Sequence, residues 1–464
     1  MKEQGITQEV VSFIKSTSFD NLPKELLLIA KRAILDTLGV MIAGSIEDAS
    51  VIIRKYILEM KEAGVATIIG TKIKASPHHA ALANGVSAHV LDYDDTQLST
   101  SKKRAFGLLT HPSSPVLSAI LPLAESRDLS GKDLLTAFCI GTEVECRIAD
   151  AINPKHYQQG YHSSGTIGTI GAVSACVKLL DLNEDKIAKA IGIAASMASG
   201  LRENFGTMTK SLHVGRAAEN GLIASLLAEK NFTGAKNILE AERGFFKATA
   251  GGFSKNKIMG KLGNPYFYLN PGVAIKPYPC GSLAHPAITA MEELVNKYNL
   301  KPEDVISIDV GVNSNVPNAL IYPMPENALE AKFSIQFCIA VMLVRRKAGL
   351  HEFKNEVVKD LIIRENMKKV ILYVDSEAEK VGYHKMFTRV RVRLRDGRVL
   401  ENISDKAKGH PQNPLSEKDL NEKFKECASV CLDESKIERA INLVKRLETL
   451  GNVKELVEVL TPQF

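Results

Sequence analysis

Apolar side chains recur three and four positions apart along the first part of the chain, which is the spacing of buried helices. After Pro23, the run LLLIAKRAILDTLGVMIAG keeps this spacing until Gly44. Further helices are predicted at residues 115–127, 131–152, 165–180, 184–200 and 216–229. Several of these stretches are apolar on every face, as in helices surrounded by other helices. The pattern predicts a large all-helical domain over residues 1–268.

The pattern changes near Asn270, after which apolar and polar positions alternate in short runs. Strands are predicted at 305–312 (VISIDVGV), at 368–375 (KKVILYVD) and at 388–402 (TRVRVRLRDGRVLEN), a hairpin that turns at Asp396-Gly397. Helices are predicted between them, at 283–298 and 328–348. We therefore expect a smaller α+β domain over residues 269–403, followed by C-terminal helices over 404–464 that pack back on the helical domain. The predicted fold class is mainly α with an α+β part.

The composition is that of a globular protein, with 45% apolar and 24% charged residues. The sequence contains no apolar run of membrane length, and its first residues, MKEQGITQEV, lack an apolar signal core. We therefore expect a cytoplasmic protein without a membrane partner. The seven cysteines form no C-x-x-C pair. This indicates reduced thiols and argues against an iron–sulfur cluster.

The net charge of +6 is mild for a chain of this length and is compatible with anionic small substrates. The basic clusters are short and far apart in the sequence. A row of four arginines alternates with apolar residues, as on the solvated face of a strand: Arg389, Arg391, Arg393 and Arg395. We therefore expect no nucleic-acid partner.

The stretch VLDYDDT at 90–96 places three carboxylates, Asp92, Asp94 and Asp95, within four positions at the predicted end of a helix. Carboxylates oppose the helix dipole there, so the arrangement calls for a function or a local structural reason. A phosphatase of the haloacid-dehalogenase type would need this run after a strand. A terpene cyclase would need an aromatic cavity, whereas this chain is 6% aromatic and has no tryptophan. His89, on the same predicted helical face as Asp92, either shares a site with it or only forms a hydrogen bond.

Other polar groups stand where predicted helices begin. HPSS, from His111, and YHSSG, which contains His162, each open a helix whose amides are suited to an anion. The following GTIGTIG lacks the dinucleotide-binding spacing and predicts close helix packing instead. Lys210 and His213 lie in TKSLHVG, ahead of a helix predicted to begin near Arg216. Lys276 lies in the proline-rich KPYPCG. Taken singly, each of these groups has an ordinary structural explanation.

Taken together and in order, these motifs resemble the MmgE/PrpD family from about residue 5 to about residue 450. The segments that carry the resemblance are HAALANGVSAHVLDYDDT, HPSSPVLSAILPLAE, YHSSGTIGTIGAV, TKSLHVGRAAENGLIASLLAEKNFTG, KPYPCGSLAHPAI, LEAKFSIQFCIA and GHPQNPLSEKDLNEKF. The resemblance implies a helical domain with an α+β lid, a homodimer, and chemistry on a di- or tricarboxylate without a metal or organic cofactor. The family includes 2-methylcitrate dehydratase, cis-aconitate decarboxylase and iminodisuccinate epimerase.

The resemblance also implies roles for individual residues. Asp92 is expected to tune a neighbouring His or Lys, or to act as a base. His111 and His162 are expected to move protons or hold carboxylates, and Lys210 and Lys276 to bind and polarise carboxylates. Contacts with the substrate are expected from Thr96, His213, Tyr278, Cys280 and Lys332. Asp94 and Asp95 are expected to be structural, and no residue is expected to bind a metal.

The sequence departs from the family in two places. The segment QLSTSKKRAFGLLT, between Thr96 and His111, is longer than the family pattern. Gly281 stands where the family's decarboxylases carry a histidine, five residues after the Lys276 position. A 2-methylcitrate dehydratase-like lyase is therefore preferred, with an epimerase and then a decarboxylase as alternatives. An alternative of another class is a non-catalytic helical binding protein, since one fold hosts several functions.

Overall fold

The structure, a computed structural model, describes residues 5–97, 110–381 and 386–462. These form two compact units. The first contains residues 5–97, 110–273 and 417–462, and the second contains residues 274–381 and 386–416. The sequence pattern placed the domain changes after residues 268 and 403, whereas the compact units change after residues 273 and 416. The C-terminal helices belong to the same unit as the N-terminal ones.

The first unit is almost entirely helical. Its helices are α1 (Ile6–Ser16), α2 (Lys24–Gly44), α3 (Asp48–Glu59), α4 (Pro77–His89), α5 (Ser113–Ser126), α6 (Gly131–Ile152), α7 (Lys155–Gln158), α8 (Ser163–Leu179), α9 (Glu184–Met197), α10 (Thr209–Glu229), α11 (Phe245–Ala250) and, after the second unit, α19 (Glu417–Ala428), α20 (Glu434–Lys445) and α21 (Lys454–Val459). Its short strands are β1 (Ala66–Thr67), β2 (Lys74–Ala75) and β3 (Thr96–Gln97), and β4 (Val273–Ala274) lies at the unit boundary.

Helices α4 and α10 cross at very short range. A Cβ atom added to Gly85 on α4 would lie 2.7 Å from the Cα atom of Gly215 on α10. On α8, a Cβ atom at Gly168 would lie 2.9 Å from Pro115 of α5. The glycines of GTIGTIG therefore serve close helix packing, as the sequence predicted.

Helix α10 begins at Thr209, so the predicted start near Arg216 is wrong. The hydroxyl of Thr207 accepts a hydrogen bond from the amide of Thr209 at 3.2 Å, which satisfies one of the free amides at the helix start. Gly215 lies inside the helix. Lys210 and His213 are consequently three residues apart on one helical face.

The acidic stretch begins beyond the end of α4. The helix ends at His89, and Asp92 adopts left-handed backbone angles, with φ at 51°. The helix therefore ends before the three carboxylates, which the sequence pattern placed at its end. Aspartate tolerates the left-handed region better than most residues, so the chain can reverse here. The reversal directs the next carboxylates back toward His89.

The C-terminal helix α19 supports this reversal. The ammonium of Lys423 lies 2.5 Å from Oδ1 of Asp36 on α2 and donates to the carbonyl of Tyr93 at 2.9 Å. It also lies 3.8 Å from the centre of the Tyr93 ring. All of these groups are buried. The C-terminal segment thereby fixes the loop that carries Asp92.

The second unit combines helices with one four-stranded sheet. Its helices are α12 (His285–Tyr298), α13 (Asn315–Ala319), α14 (Ala328–Ala331), α15 (Ile335–Arg345), α16 (Asn355–Val358), α17 (Leu361–Met367) and α18 (Ser376–Val381). Its strands are β5 (Val305–Val312), β6 (Val370–Val374), β7 (Thr388–Leu394) and β8 (Val399–Ser404). The sheet order is β6-β5-β7-β8, with β5 and β6 parallel and the other neighbours antiparallel. The predicted strands and the predicted mainly α fold class with an α+β part are confirmed.

Three arginines of the row lie on β7 and are paired with carboxylates, whereas Arg395 lies beyond the strand. Arg389 lies 3.1 Å from Asp375 and 2.8 Å from Glu401, and Arg391 lies 2.6 Å from Glu401. Among the helices that the structure describes, none is both long and apolar enough to cross a membrane. All seven cysteines are thiols outside any disulfide, and six of them are buried.

Candidate active site

The centre of the candidate site is the buried ammonium of Lys210 on α10. Its Nζ atom donates to Oδ1 of Asp92 at 2.6 Å and lies 3.0 Å from Nε2 of His89. An ammonium has only donors, so Nε2 of His89 must accept. The proton of His89 is therefore on Nδ1, which donates to Asp94 at 2.9 Å.

The imidazole of His89 is held neutral. Burial lowers its pKa, and the charge of Lys210 acts in the same direction, whereas Asp94 opposes it without reversing the shift. Asp94 also accepts from the hydroxyl of Ser114 at 2.7 Å. The chain Ser114–Asp94–His89–Lys210 thus fixes the tautomer of His89 and the position of the ammonium.

His111, just before α5, faces the same cluster. Its Nδ1 atom lies 2.8 Å from the carbonyl of Asp95, which can only accept, so Nδ1 carries a proton. Its Nε2 atom lies 4.0 Å from Oδ1 of Asp92, and its ring meets the His89 ring at a centroid distance of 4.6 Å. In the neutral ring, Nε2 is free of a proton and is the atom able to take one up.

His162 and His213 form a second imidazole pair. Their Nδ1 atoms lie 3.1 Å apart, so one of them donates to the other. Burial holds the pKa of His162 well below its usual range, and the positive charge of Lys210 adds to this shift. Burial and the charge of Lys210 lower the pKa of His213 to about 4. Both rings are therefore neutral near pH 7.

These residues converge because three helix starts meet at His89. His111 precedes α5, His162 is the N-cap of α8, and Lys210 is the second residue of α10. The His162 ring stacks on His89 at a centroid distance of 5.6 Å, and the His111 amide donates to Ser164 of α8 at 3.0 Å. Helix N-termini carry partial positive charge, so the site is suited to anions.

Buried acids lie behind the imidazoles. The Asp95 side chain contacts the hydroxyl of Ser113 and lies 3.3 Å from the hydroxyl of Tyr268. Burial raises the pKa of Asp95 to about 7 despite hydrogen bonds from Ser113. Burial also holds the pKa of Glu145, which contacts Thr110, well above its ordinary value. These acids contribute less negative charge than their number suggests.

Of the ten residues predicted for the site, the structure brings five together in the first unit: Asp92, His111, His162, Lys210 and His213. Thr96 lies in the same unit, where its hydroxyl lies 3.4 Å from the carbonyl of Thr110. The remaining four belong to the second unit: Lys276, Tyr278, Cys280 and Lys332.

The predicted site residues of the second unit are buried there. The hydroxyl of Tyr278 donates to Glu292 at 2.7 Å. Burial raises the pKa of the Cys280 thiol, but a hydrogen bond with Cys338 and the charges of His285 and Lys276 outweigh it and bring that pKa to about 6. These assignments stay predictions.

Two residues outside the predicted set are central to the geometry. His89 and Asp94 together orient Lys210, and Asp94 also lies 3.5 Å from Nδ1 of His111. The spacing of three between His89 and Asp92 is the only sequence signal that pointed to His89. The approach of Asp94 depends on the left-handed turn at Asp92, which the local sequence does not indicate.

Four of these side chains have metal-compatible spacing: His89, Asp92, Asp94 and His111, whose ligand atoms lie within 4.8 Å of one another. The Lys210 ammonium already contacts Asp92 and His89. A metal ion bound through those two side chains would have to displace it.

Comparison with known proteins defines the class. The MmgE/PrpD N-terminal domain matches residues 8–257, and the MmgE/PrpD C-terminal domain matches residues 278–449. The chain belongs to the MmgE/PrpD family, which confirms the resemblance seen in the sequence.

Similar proteins include three enzymes named cis-aconitate decarboxylase. Decarboxylases are lyases. The one from Homo sapiens is 31% identical over 476 residues, covering 99% of this chain and 95% of the relative. The one from Mus musculus is 28% identical, covering 99% of this chain and 94% of the relative. The one from Aspergillus terreus is 26% identical, covering 99% of this chain and 96% of the relative.

Proposed function

We propose that this chain is a lyase that breaks a bond next to a carboxylate-bearing carbon of a small polycarboxylate, with decarboxylation of cis-aconitate as the leading candidate. The observation that carries the proposal is the buried Lys210 ammonium, held by Asp92 and His89 beside neutral imidazoles. Similarity to relatives named cis-aconitate decarboxylase over nearly the whole chain supports this choice of reaction. The sequence alone ranked that reaction third.

Substrate binding follows from charge. Lys210 is a cation for one carboxylate, and the amides at the starts of α5, α8 and α10 favour further negative charge. A carboxylate next to His162 offsets the burial and the Lys210 charge that lower the pKa of this residue. Binding therefore raises that pKa and loads the imidazole with the proton that the reaction needs.

In the decarboxylation, the bond between a substrate carbon and its carboxylate breaks and CO₂ leaves. The electron pair remains on the substrate, delocalised toward an adjacent carboxylate, and Lys210 stabilises the developing charge. Protonated His162 or His111 then donates one proton to the substrate carbon. The product is an unsaturated dicarboxylate that carries one solvent proton.

Dehydration of a 2-methylcitrate-like hydroxy acid is the second candidate. Gly281, in place of the histidine of the family's decarboxylases, favours it. The same groups serve: an imidazole removes the proton next to a carboxylate, and a protonated group releases the hydroxyl as water. An epimerase would instead return that proton to the opposite face.

Proton NMR in D₂O distinguishes these reactions when the purified protein is given cis-aconitate, 2-methylcitrate, citrate and iminodisuccinate. We expect loss of a carboxylate from cis-aconitate, with one deuteron entering the product. Vinyl signals that arise from a hydroxy acid would instead establish a dehydratase. Deuterium that enters an α carbon with inversion of its configuration would establish an epimerase. Silence with all four compounds would contradict the proposal.

A further inference from the structure

A second cluster of ligand side chains lies at the other end of α4. Glu62, His78 and His79 each offer one ligand atom, and these atoms lie within 4.8 Å of one another. His79 is ten residues before His89, about 15 Å along the helix at about 1.5 Å per residue. The cluster is thus separate from the site around Lys210.

The cluster is organised by short contacts. Nδ1 of His79 lies 2.8 Å from Oε1 of Glu62, and the hydroxyl of Ser76 donates to the same oxygen at 2.9 Å. Nε2 of His78 lies 3.4 Å from the Ser76 hydroxyl. The two imidazole centroids are 4.3 Å apart. Two imidazole nitrogens and one carboxylate oxygen are therefore close enough together to share one ion.

The far side of His79 is also occupied. Its Nε2 atom faces Oε1 of the buried Glu219 at 3.9 Å. Histidines that bind a metal through one ring nitrogen usually donate the other N–H to a carboxylate. Glu219 is placed for that role when Nδ1 is the ligand atom.

We propose that Glu62, His78 and His79 form a binding site for a divalent transition-metal ion, with Zn²⁺ as the expected type. Two imidazoles and one carboxylate are a common zinc ligand set, and three protein ligands leave a fourth position for water. On binding, the metal takes the place of the proton between His79 and Glu62. That proton passes to Nε2 of His79 or to solvent, and Ser76 continues to donate to the carboxylate. His79 and Glu62 side chains are 15% and 24% exposed, so ions reach the site from solvent.

The charge at the site favours a cation only modestly. The partial positive charge at the N-terminus of α4 disfavours a cation nearby. Glu62 and Glu219 carry two negative charges, and Arg216, 2.5 Å from Glu219, offsets one of them.

Calorimetric titration of the full chain with Zn²⁺, after treatment with a chelator, tests the proposal. We expect one saturable site for Zn²⁺. Its affinity should fall by at least about tenfold in His78→Ala and in Glu62→Gln, since even the loss of a residue that only hydrogen-bonds a metal ligand costs about that much. Glu219→Gln is expected to weaken it by about tenfold. His351→Ala removes an exposed histidine elsewhere and should leave binding unchanged.

A second variant assigns the bound ion to one cluster. His111→Gln removes a ligand from the metal-compatible group around Lys210 and should leave the affinity unchanged. Thermal unfolding without metal checks that each variant folds. Undiminished binding in both folded His78→Ala and folded Glu62→Gln, loss of binding in His111→Gln, or no saturable binding by the wild type would each overturn the proposal.

Discussion

Lys210 and Asp92 form a buried ion pair, with Nζ 2.6 Å from Oδ1 and side chains that are 8% and 5% exposed. His89 accepts from the same ammonium at 3.0 Å. Water does not screen this pair, so either charge left alone is costly. The pair therefore has both a structural and a proposed catalytic role, and variants can separate the two.

Lys210→Met is expected to lower the free energy of unfolding by about 3–5 kcal/mol, because it leaves Asp92 charged and buried. The double variant Lys210→Met/Asp92→Asn should recover most of that stability, yet neither variant should turn over substrate. Urea unfolding and an activity assay measure both effects. Lys15→Met is the matched control, since its pair with Asp181 is exposed and is expected to contribute less than about 1 kcal/mol. A double variant as unstable as Lys210→Met would contradict this account.

Asp94→Asn tests whether Asp94 positions the site through His89. An amide that donates to Nδ1 would move the His89 proton to Nε2, where it opposes the Lys210 ammonium. We expect kcat to fall by about 10²-fold or more, since a histidine held in the wrong tautomer can cost up to about 10⁴-fold. Nitrogen NMR should show the change of tautomer, which a purely structural defect would not produce. Ser114→Ala keeps the carboxylate and should keep the tautomer; an unchanged tautomer in Asp94→Asn would refute the positioning role.

Binding of a polycarboxylate near pH 7 is expected to take up protons. The pKa of His162 lies well below its usual range and that of His213 is about 4, so both rings start neutral. Added negative charge stabilises the protonated rings and raises both pKa values. Calorimetry with propane-1,2,3-tricarboxylate, in buffers of different ionisation enthalpy, counts the protons. His162→Gln should reduce the uptake, and binding without uptake by the wild type would argue against proton loading.

Asp95→Asn is expected to change how stability depends on pH. The folded pKa is about 7, above the ordinary 3.8, so the folded state holds this proton more tightly. That contribution is present below about pH 4 and is lost as pH rises to about 7, at about 1.4 kcal/mol per pH unit. Asparagine does not titrate, so the variant should gain stability relative to the wild type by about 2–3 kcal/mol between pH 5 and pH 7. Urea unfolding at both pH values checks this, and a pH-independent difference would contradict it.

Gly281→His tests the choice between the two candidate reactions. Gly281 has φ at −55°, which any residue adopts, and an added Cβ atom would lie 3.1 Å from the end of the Leu320 side chain. If histidine here favours decarboxylation, the variant should raise the rate with cis-aconitate relative to 2-methylcitrate. Gly281→Ala controls for the added volume alone. An equal effect of both variants would show that the residue at position 281 does not determine which reaction is catalysed.

The sequence predicted elements whose signal is local. Alternating residues in VISIDVGV gave β5 within its observed bounds, and the family motifs named Asp92, His111, His162 and Lys210, which lie together. The start of α10 was missed because Gly215 looks like a helix break, whereas contact with Gly85 on a distant helix explains it. Asp94 was taken as structural because its approach to His89 depends on the left-handed turn at Asp92 and on Lys423 beneath Tyr93. These are long-range effects that short sequence patterns do not carry.

The most direct test of the proposed function is turnover of cis-aconitate in D₂O by the wild type and by Lys210→Met/Asp92→Asn, with CO₂ release and deuterium incorporation measured together. We expect equal CO₂ and deuteron counts for the wild type, and loss of both in the folded double variant. Turnover that survives in the double variant, or a wild type inactive on all four polycarboxylates, would contradict a Lys210-centred lyase site.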